Sequence, residues 1–160
     1  MSTRGVPQGA VFAFDTATGA LDEQLRRIDA LDSKAGILLA ADGIIASLIF
    51  SRSSLPVDAP TFVSLAAGIA VLSSLIAALV AFANRNYQVA PAPEAVTALA
   101  SAPADWIRWR FMGNMLDALD INRVKLGQKA KWLTFGQLTL LAGVGLLGGY
   151  FVYSSLEKGA

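Results

Sequence analysis

Residues 61–83 (TFVSLAAGIAVLSSLIAALVAFA) and 132–153 (WLTFGQLTLLAGVGLLGGYFVY) each run for more than twenty positions without one Asp, Glu, Lys or Arg. About 20 consecutive apolar residues is what a helix needs to cross a hydrocarbon core. Both stretches are apolar around their whole circumference, which argues against the competing reading, the core helices of a soluble bundle. Hydrophobic residues make up 54% of the chain and the mean hydropathy is +0.52, high for an ordinary soluble domain. A third stretch, residues 35–50, is shorter. At about 1.5 Å per residue it reaches only ~24 Å, a gap that Lys34 and Arg52 at its ends can close by snorkelling to the two interfaces. The expected fold class is therefore all-α, a multi-pass bundle of three transmembrane helices with cytoplasmic helical extensions.

Topology follows from the cations. Eleven of the thirteen Lys and Arg residues lie before the first span (Arg4, Arg26, Arg27, Lys34) or between spans two and three (Arg85, Arg108, Arg110, Arg123, Lys125, Lys129, Lys131). Only Arg52 and Lys158 fall on the other side, so the positive-inside rule places the N-terminus and the long loop in the cytoplasm and the C-terminus outside. Trp132 at one mouth of span three, and Tyr150 and Tyr153 near the other, fit an aromatic belt. The first residues have one short apolar patch, AVFAF, with acids soon after, which does not read as a cleaved signal peptide.

Around the spans the sequence predicts a flexible N-terminus over 1–18, a helix over 19–34 started by Thr16 or Thr18 and running into span one, and a tail over 155–160. Residues 89–104, rich in Pro and Ala, read as an irregular connection with room for one short helical turn. A helix over 105–131, with Asp105 as its N-cap, leads into span three. The unit bounded by these ends is 19–154.

Two stripes at alternating steps of four and three mark seams. On the first helix they are Leu21, Leu25, Ile28, Asp32, Ala35, Leu39 and Asp42. On the last they are Met112, Leu116, Leu119, Arg123, Leu126, Ala130, Leu133, Gln137 and Leu140. Both helices run the same way across the membrane, so they can pack in parallel, against each other or against a second copy. Asp29, Asp32 and Lys34 sit where span one begins, facing a helix with Arg123, Lys125, Lys129 and Lys131. Exposed ion pairs of that kind contribute less than ~1 kcal/mol.

Asp42 is different. Eight residues past Lys34 it lies ~12 Å into the span, where an isolated charge costs roughly 2.5 to 3.5 kcal/mol. It must face the bundle interior, find donors or carry a proton. The same depth in the other spans reaches Ser73, Ser74, Thr134, Gln137 and Thr139, so a polar cluster of Asp42, Ser73, Ser74 and Gln137 is expected. Two readings stand: a hydrogen bond that sets helix register, or a group lining a pore or switching with protonation. Gly145 and Gly149 form a small-xxx-small pair suited to close helix approach.

Enzyme classes are excluded on residue type. The chain has no Cys and no His, which removes thiolate chemistry, the commonest metal ligands and the commonest general base. No P-loop, GxSxG, HExxH or metal-ligand cluster occurs. No catalytic, metal or cofactor residues are expected, and the balanced charge gives no reason to expect a nucleic-acid partner.

The stretch IDALDSKAGILLAADGIIASLIF (28–50) resembles the signature of the transmembrane domain of Pycsar effectors, in which an Asp-x-Lys-Ala step opens the first span and a polar residue, often Asn, follows about ten positions later. Here those are Asp32, Lys34, Ala35 and Asp42. The likeness continues with NRNY at 84–87 and NRVKLGQKAKWLTFG at 122–136, which contains Asn122 and Lys129. Pycsar effectors belong to bacterial anti-phage systems in which a cyclase makes a cyclic pyrimidine mononucleotide and the membrane effector impairs the inner membrane. The resemblance implies a homo-oligomeric inner-membrane effector, with Asp32, Lys34, Asn122 and Lys129 coupling the cytoplasmic helices to the spans. Such effectors often carry a separate nucleotide-binding domain for which this chain has no room, so the resemblance implies either a separate nucleotide-sensing partner or cytoplasmic helices that respond to some other trigger. The alternative is a structural or accessory subunit of a larger membrane complex.

Overall fold

The computed structural model describes residues 9–50, 61–83, 87–88, 97 and 102–159. Among them the chain is all-helical, with no strand: α1 (Ala10–Phe50), α2 (Thr61–Ala83) and α3 (Ala104–Gly159). Proline explains the punctuation. All six prolines fall outside these helices, as expected of a residue that removes a helical hydrogen bond and pushes its predecessor out of the α region. Pro103 stands just before α3, and its carbonyl accepts the amides of Trp106 and Ile107 at 3.0 and 3.1 Å. Asp105 is therefore in the first turn of α3 rather than at its N-cap, where its negative charge still suits the helix dipole.

Helix α2 has the bounds the sequence predicts. The other two are longer. Helix α1 begins at Ala10, with the Ala13 amide donating to the Gly9 carbonyl, so residues 10–18 are helical rather than flexible. Thr16 and Thr18 do not start a helix. Their hydroxyls donate back to the carbonyls of Phe12 and Phe14 at 2.8 and 2.9 Å, the way a hydroxyl is satisfied inside a helix. Helix α3 continues through the expected tail to Gly159, since no proline or cap interrupts it. Residues 1–8 with Arg4, the 51–60 turn with Arg52, residues 84–86 of NRNY, and the 89–104 connection apart from Thr97 and residues 102–104 lie outside the described residues. Thr97 is helical.

Contacts divide the chain into two units, Met1–Ala30 with Arg85–Gly127, and Leu31–Asn84 with Gln128–Ala160. In the first, Ala17, Leu21 and Ile28 of α1 and Phe111, Met115 and Ala118 of α3 are buried. Thr18 donates to Met115 and Gln24 to the Leu119 carbonyl, over separations of 97 and 95 residues, so the two helices run parallel here. Glu23 accepts from Arg26 and Arg27 on its own helix. Those guanidiniums, Arg27 first, hold its carboxyl below the usual range although it is solvent-exposed.

In the second unit α1 and α3 again run parallel and α2 packs antiparallel to both, as the close approaches of Gly136 to Ser74 and of Gly143 to Ala67 require. Its core joins Ala35 and Leu38, Val71, Ala78 and Ala81, and Leu133 and Leu140. The large side chains mostly face the other way: Ile37, Phe62, Leu65 and Leu141 are each more than 60% exposed, while Ala35, Ala67, Ala77, Ala78 and Ala81 are fully buried. Gly136 and Gly143 face inward. A Cβ on Gly136 would sit 2.9 Å from Leu38, and one on Gly143 would sit 3.2 Å from Ala70. Close helix approach through small residues is how helices pack in lipid, where burying large side chains gives no hydrophobic gain. Two helices among the described residues, α2 and α3, are long and apolar enough to cross a membrane.

The seams differ from the expected ones by one residue at many positions. On α1 Leu21, Ile28, Ala35 and Asp42 are buried as expected, but Leu38 takes the place of Leu39. On α3 Leu133 and Leu140 hold, whereas Phe111, Met115, Ala118, Asn122, Lys129 and Gly136 are buried in place of Met112, Leu116, Leu119, Arg123, Ala130 and Gln137. A stripe chosen for large apolar residues misses a seam that uses Ala, Gly, Asn and Lys.

Candidate functional site

Among the described residues four polar or charged side chains are buried: Asp42, Ser74, Asn122 and Lys129. Their contacts include three to other elements, each within one unit.

Lys129, on the buried face of α3, donates its Nζ to Asp32 Oδ1 of α1. The lysine side chain is fully buried and that of Asp32 is 25% exposed, so the pair is anchored rather than a solvated surface contact. Its burial explains why it must exist. An ammonium taken out of water is tolerated only when it is paired, and removing one partner of a buried pair costs roughly 3–5 kcal/mol. Lys34, two positions from Asp32, is exposed and takes no part in this contact, because neighbours two apart on a helix do not share a face.

Asp42 and Ser74 join α1 to α2. The Ser74 hydroxyl donates to Asp42 Oδ2 at 3.0 Å, and Asp42 Oδ1 is buried with no hydrogen-bond partner among the described residues. The expected interior position and donor for Asp42 are both present. The wider cluster is not. Ser73 donates to the Ile69 carbonyl of its own helix at 2.8 Å, since adjacent helical residues point about 100° apart and only one of two serines can face Asp42. Gln137 is exposed, displaced from the seam by Gly136, whose missing side chain lets Leu38 and the Ser74 backbone approach. Thr134 and Thr139 bond to carbonyls of their own helix. The carboxylate is thus enclosed inside one chain's bundle.

Asn122 forms a two-bond clamp on the backbone that follows α2. Its Oδ1 accepts the Gln88 amide at 3.0 Å and its Nδ2 donates to the Gln88 carbonyl at 2.9 Å. A buried amide so placed satisfies a donor and an acceptor that a loop would otherwise leave to water. The sequence reading missed Gln24 and Gln88. Gln24 lies three residues after Leu21 and four before Ile28, a seam position, and donates to the Leu119 carbonyl at 2.9 Å. That spacing was the available signal, but Leu25 beside it was the more apolar choice. Gln88 contributes only its backbone, which no side-chain pattern reports.

Among the described residues, open clefts lie along α3. One, of about 520 Å³, is lined by Trp106, Trp109, Arg110, Met112 and Gly113, with the Arg110 guanidinium 5.5 Å from the centre of the Trp106 ring. Another, of about 490 Å³, is lined by Gln128, Lys131, Trp132 and Phe135. No group of three or more acidic residues among the described residues could hold a metal ion. No protein-family model, curated protein or solved structure matches the chain.

Proposed function

We propose that this chain is a three-span inner-membrane effector of a bacterial anti-phage system linked to a cyclic nucleotide, acting by oligomerising and impairing membrane integrity. Spans 35–50, 61–83 and 132–153 cross the bilayer, with the N-terminus and long loop in the cytoplasm. The observation that carries the reading is a coincidence of residues. Of the six residues singled out in the likeness to Pycsar effectors, Asp32, Asp42, Asn122 and Lys129 make buried or half-buried polar contacts and Ala35 is buried, whereas Lys34 is exposed. A motif whose members hold separate parts of the chain together is under structural constraint, which supports reading it as a family signature rather than chance in an apolar sequence. The outward placement of the large apolar side chains supports the lipid surroundings. The enclosed Asp42–Ser74 contact favours the register-setting role over a lining role in a pore.

Gly145, Gly148 and Gly149 would meet nothing within 4 Å if given a Cβ, leaving a small-residue surface that suits another helix, from a second copy or from another subunit. The test is expression in cells with and without phage while membrane potential and plaque counts are followed. Loss of potential on infection, with fewer plaques, is the expected result. Unchanged potential with unchanged plaques sinks the effector reading, and stoichiometric recovery with a different membrane protein, without toxicity, supports the accessory-subunit alternative.

A further inference from the structure

We infer that the cleft beside Trp132 binds the headgroup of an anionic phospholipid, a reading that rests on the proposed membrane placement. Gln128, Lys131, Trp132 and Phe135 fall at steps of three, one and three on one face of α3, and they grade along it from polar to apolar. At one end Lys131 is exposed with no ion pair among the described residues, unlike Lys129 two positions earlier, which is buried against Asp32. Beside it stand the Gln128 amide and the Trp132 indole N–H, neither with a hydrogen-bond partner among the described residues. At the other end is the phenyl ring of Phe135. The two rings meet edge to face at 6.3 Å and 87°, which gives the cleft a stiff aromatic wall.

A phospholipid presents the complementary sequence of groups. Its phosphodiester is an anion rich in acceptors, its glycerol esters are neutral acceptors and its chains are apolar. The ammonium meets the phosphate, the indole N–H and the amide meet ester oxygens, and Phe135 meets the start of an acyl chain. A cleft of about 490 Å³ is within the size range of small-molecule sites, roughly 300–1,000 Å³. Trp at a bilayer interface and Lys facing the anionic cytoplasmic leaflet both follow from general membrane physics. Here they share one cleft, with the cation left over after its neighbour is paired. A second protein surface is a poorer occupant, because it would have to bury a lone ammonium that nothing in the cleft neutralises.

The test reads Trp132 alone. Trp106→Phe with Trp109→Phe removes the other two of the three tryptophans, both of them partly exposed. This full-length chain is reconstituted into phosphatidylcholine vesicles holding equal fractions of phosphatidylglycerol and a zwitterionic lipid, with the bromine label on one or the other. The expected result is about fivefold stronger association of the anionic lipid with Trp132, lost in Lys131→Ala and retained in Lys131→Arg. Equal quenching by the two brominated lipids, or a preference that survives Lys131→Ala, overturns the site while leaving the membrane reading intact. Quenching by neither lipid overturns both. A shift in Trp132 emission of the detergent-solubilised protein on adding inorganic phosphate assigns the site to a free anion and overturns the lipid assignment.

Discussion

The two units bury different things. In the unit formed by the first part of α1 and the first part of α3, Leu21, Ile28, Phe111 and Met115 are buried beside Ala17 and Ala118, and two neutral amides, buried Asn122 and half-buried Gln24, bond to backbone. In the unit that contains α2, the tightest positions are alanines, Ser74, Gly136 and Gly143, most large apolar residues face out although Leu38, Leu133 and Leu140 are buried, and the buried polar groups include the ionisable Asp42 and Lys129. The first pattern is what water selects, since burying a Leu or Phe stabilises by about 1.5–3 kcal/mol. The second is what lipid permits, since a leucine loses nothing by facing hydrocarbon and helices gain by close contact. One helix, α3, carries both patterns, so its apolar residues cannot be assigned to inside or outside by a single rule.

The contrast can be broken by truncation. Phe111→Ala in the first unit is expected to cost about 3–5 kcal/mol, whereas Leu138→Ala, at a residue 62% exposed in the second, should change stability by no more than about 0.5 kcal/mol. Denaturant titration in a mild detergent checks this, and equal losses would mean that both units pack by the same rule.

Lys129→Met asks whether charge holds the second unit together. It leaves Asp32 without its ammonium and should cost about 2–4 kcal/mol, at the low end of the buried-pair range because the aspartate is partly exposed. Adding Asp32→Asn should recover part of the loss. A cycle showing strict additivity would mean that the two side chains do not interact.

Overpacking sharpens the small-residue argument. Gly143→Leu must displace Ala70, Val71 and the Ala67 backbone and should cost about 1–3 kcal/mol. A Cβ at Gly145 meets nothing within 4 Å among the described residues, so Gly145→Leu should leave monomer stability unchanged while weakening any assembly built on that face, as crosslinking or sizing in detergent would read.

The smallest effect is expected at Glu23, in the first unit. Its folded carboxyl is held low by Arg27 and Arg26, so the contribution of these contacts is present above the unfolded pKa and lost as pH falls through the lowered folded value. Helicity followed from about pH 6 to pH 2 should fall slightly earlier in wild type than the rest of the acid transition explains, and Glu23→Gln should remove that component.

Much of the fold is legible in the sequence because its signals are local. Six prolines mark where helices cannot be, two charge-free runs mark where water is not wanted, and α2 keeps the predicted bounds Thr61–Ala83. Asp42, a carboxylate in an otherwise apolar run, had to find a donor wherever it was buried, since a buried charge is costly alone. Tertiary structure decided the rest. Leu38 rather than Leu39, Ser74 rather than Ser73, and Asn122 and Lys129 rather than Arg123 and Ala130 face the seam. Neighbouring residues differ by about 100° on a helix, and along these seams the size of an apolar side chain does not say which of two neighbours points inward. The choice falls to shape, with glycines and alanines admitting a neighbouring helix, and to the partner each buried polar group meets across the gap.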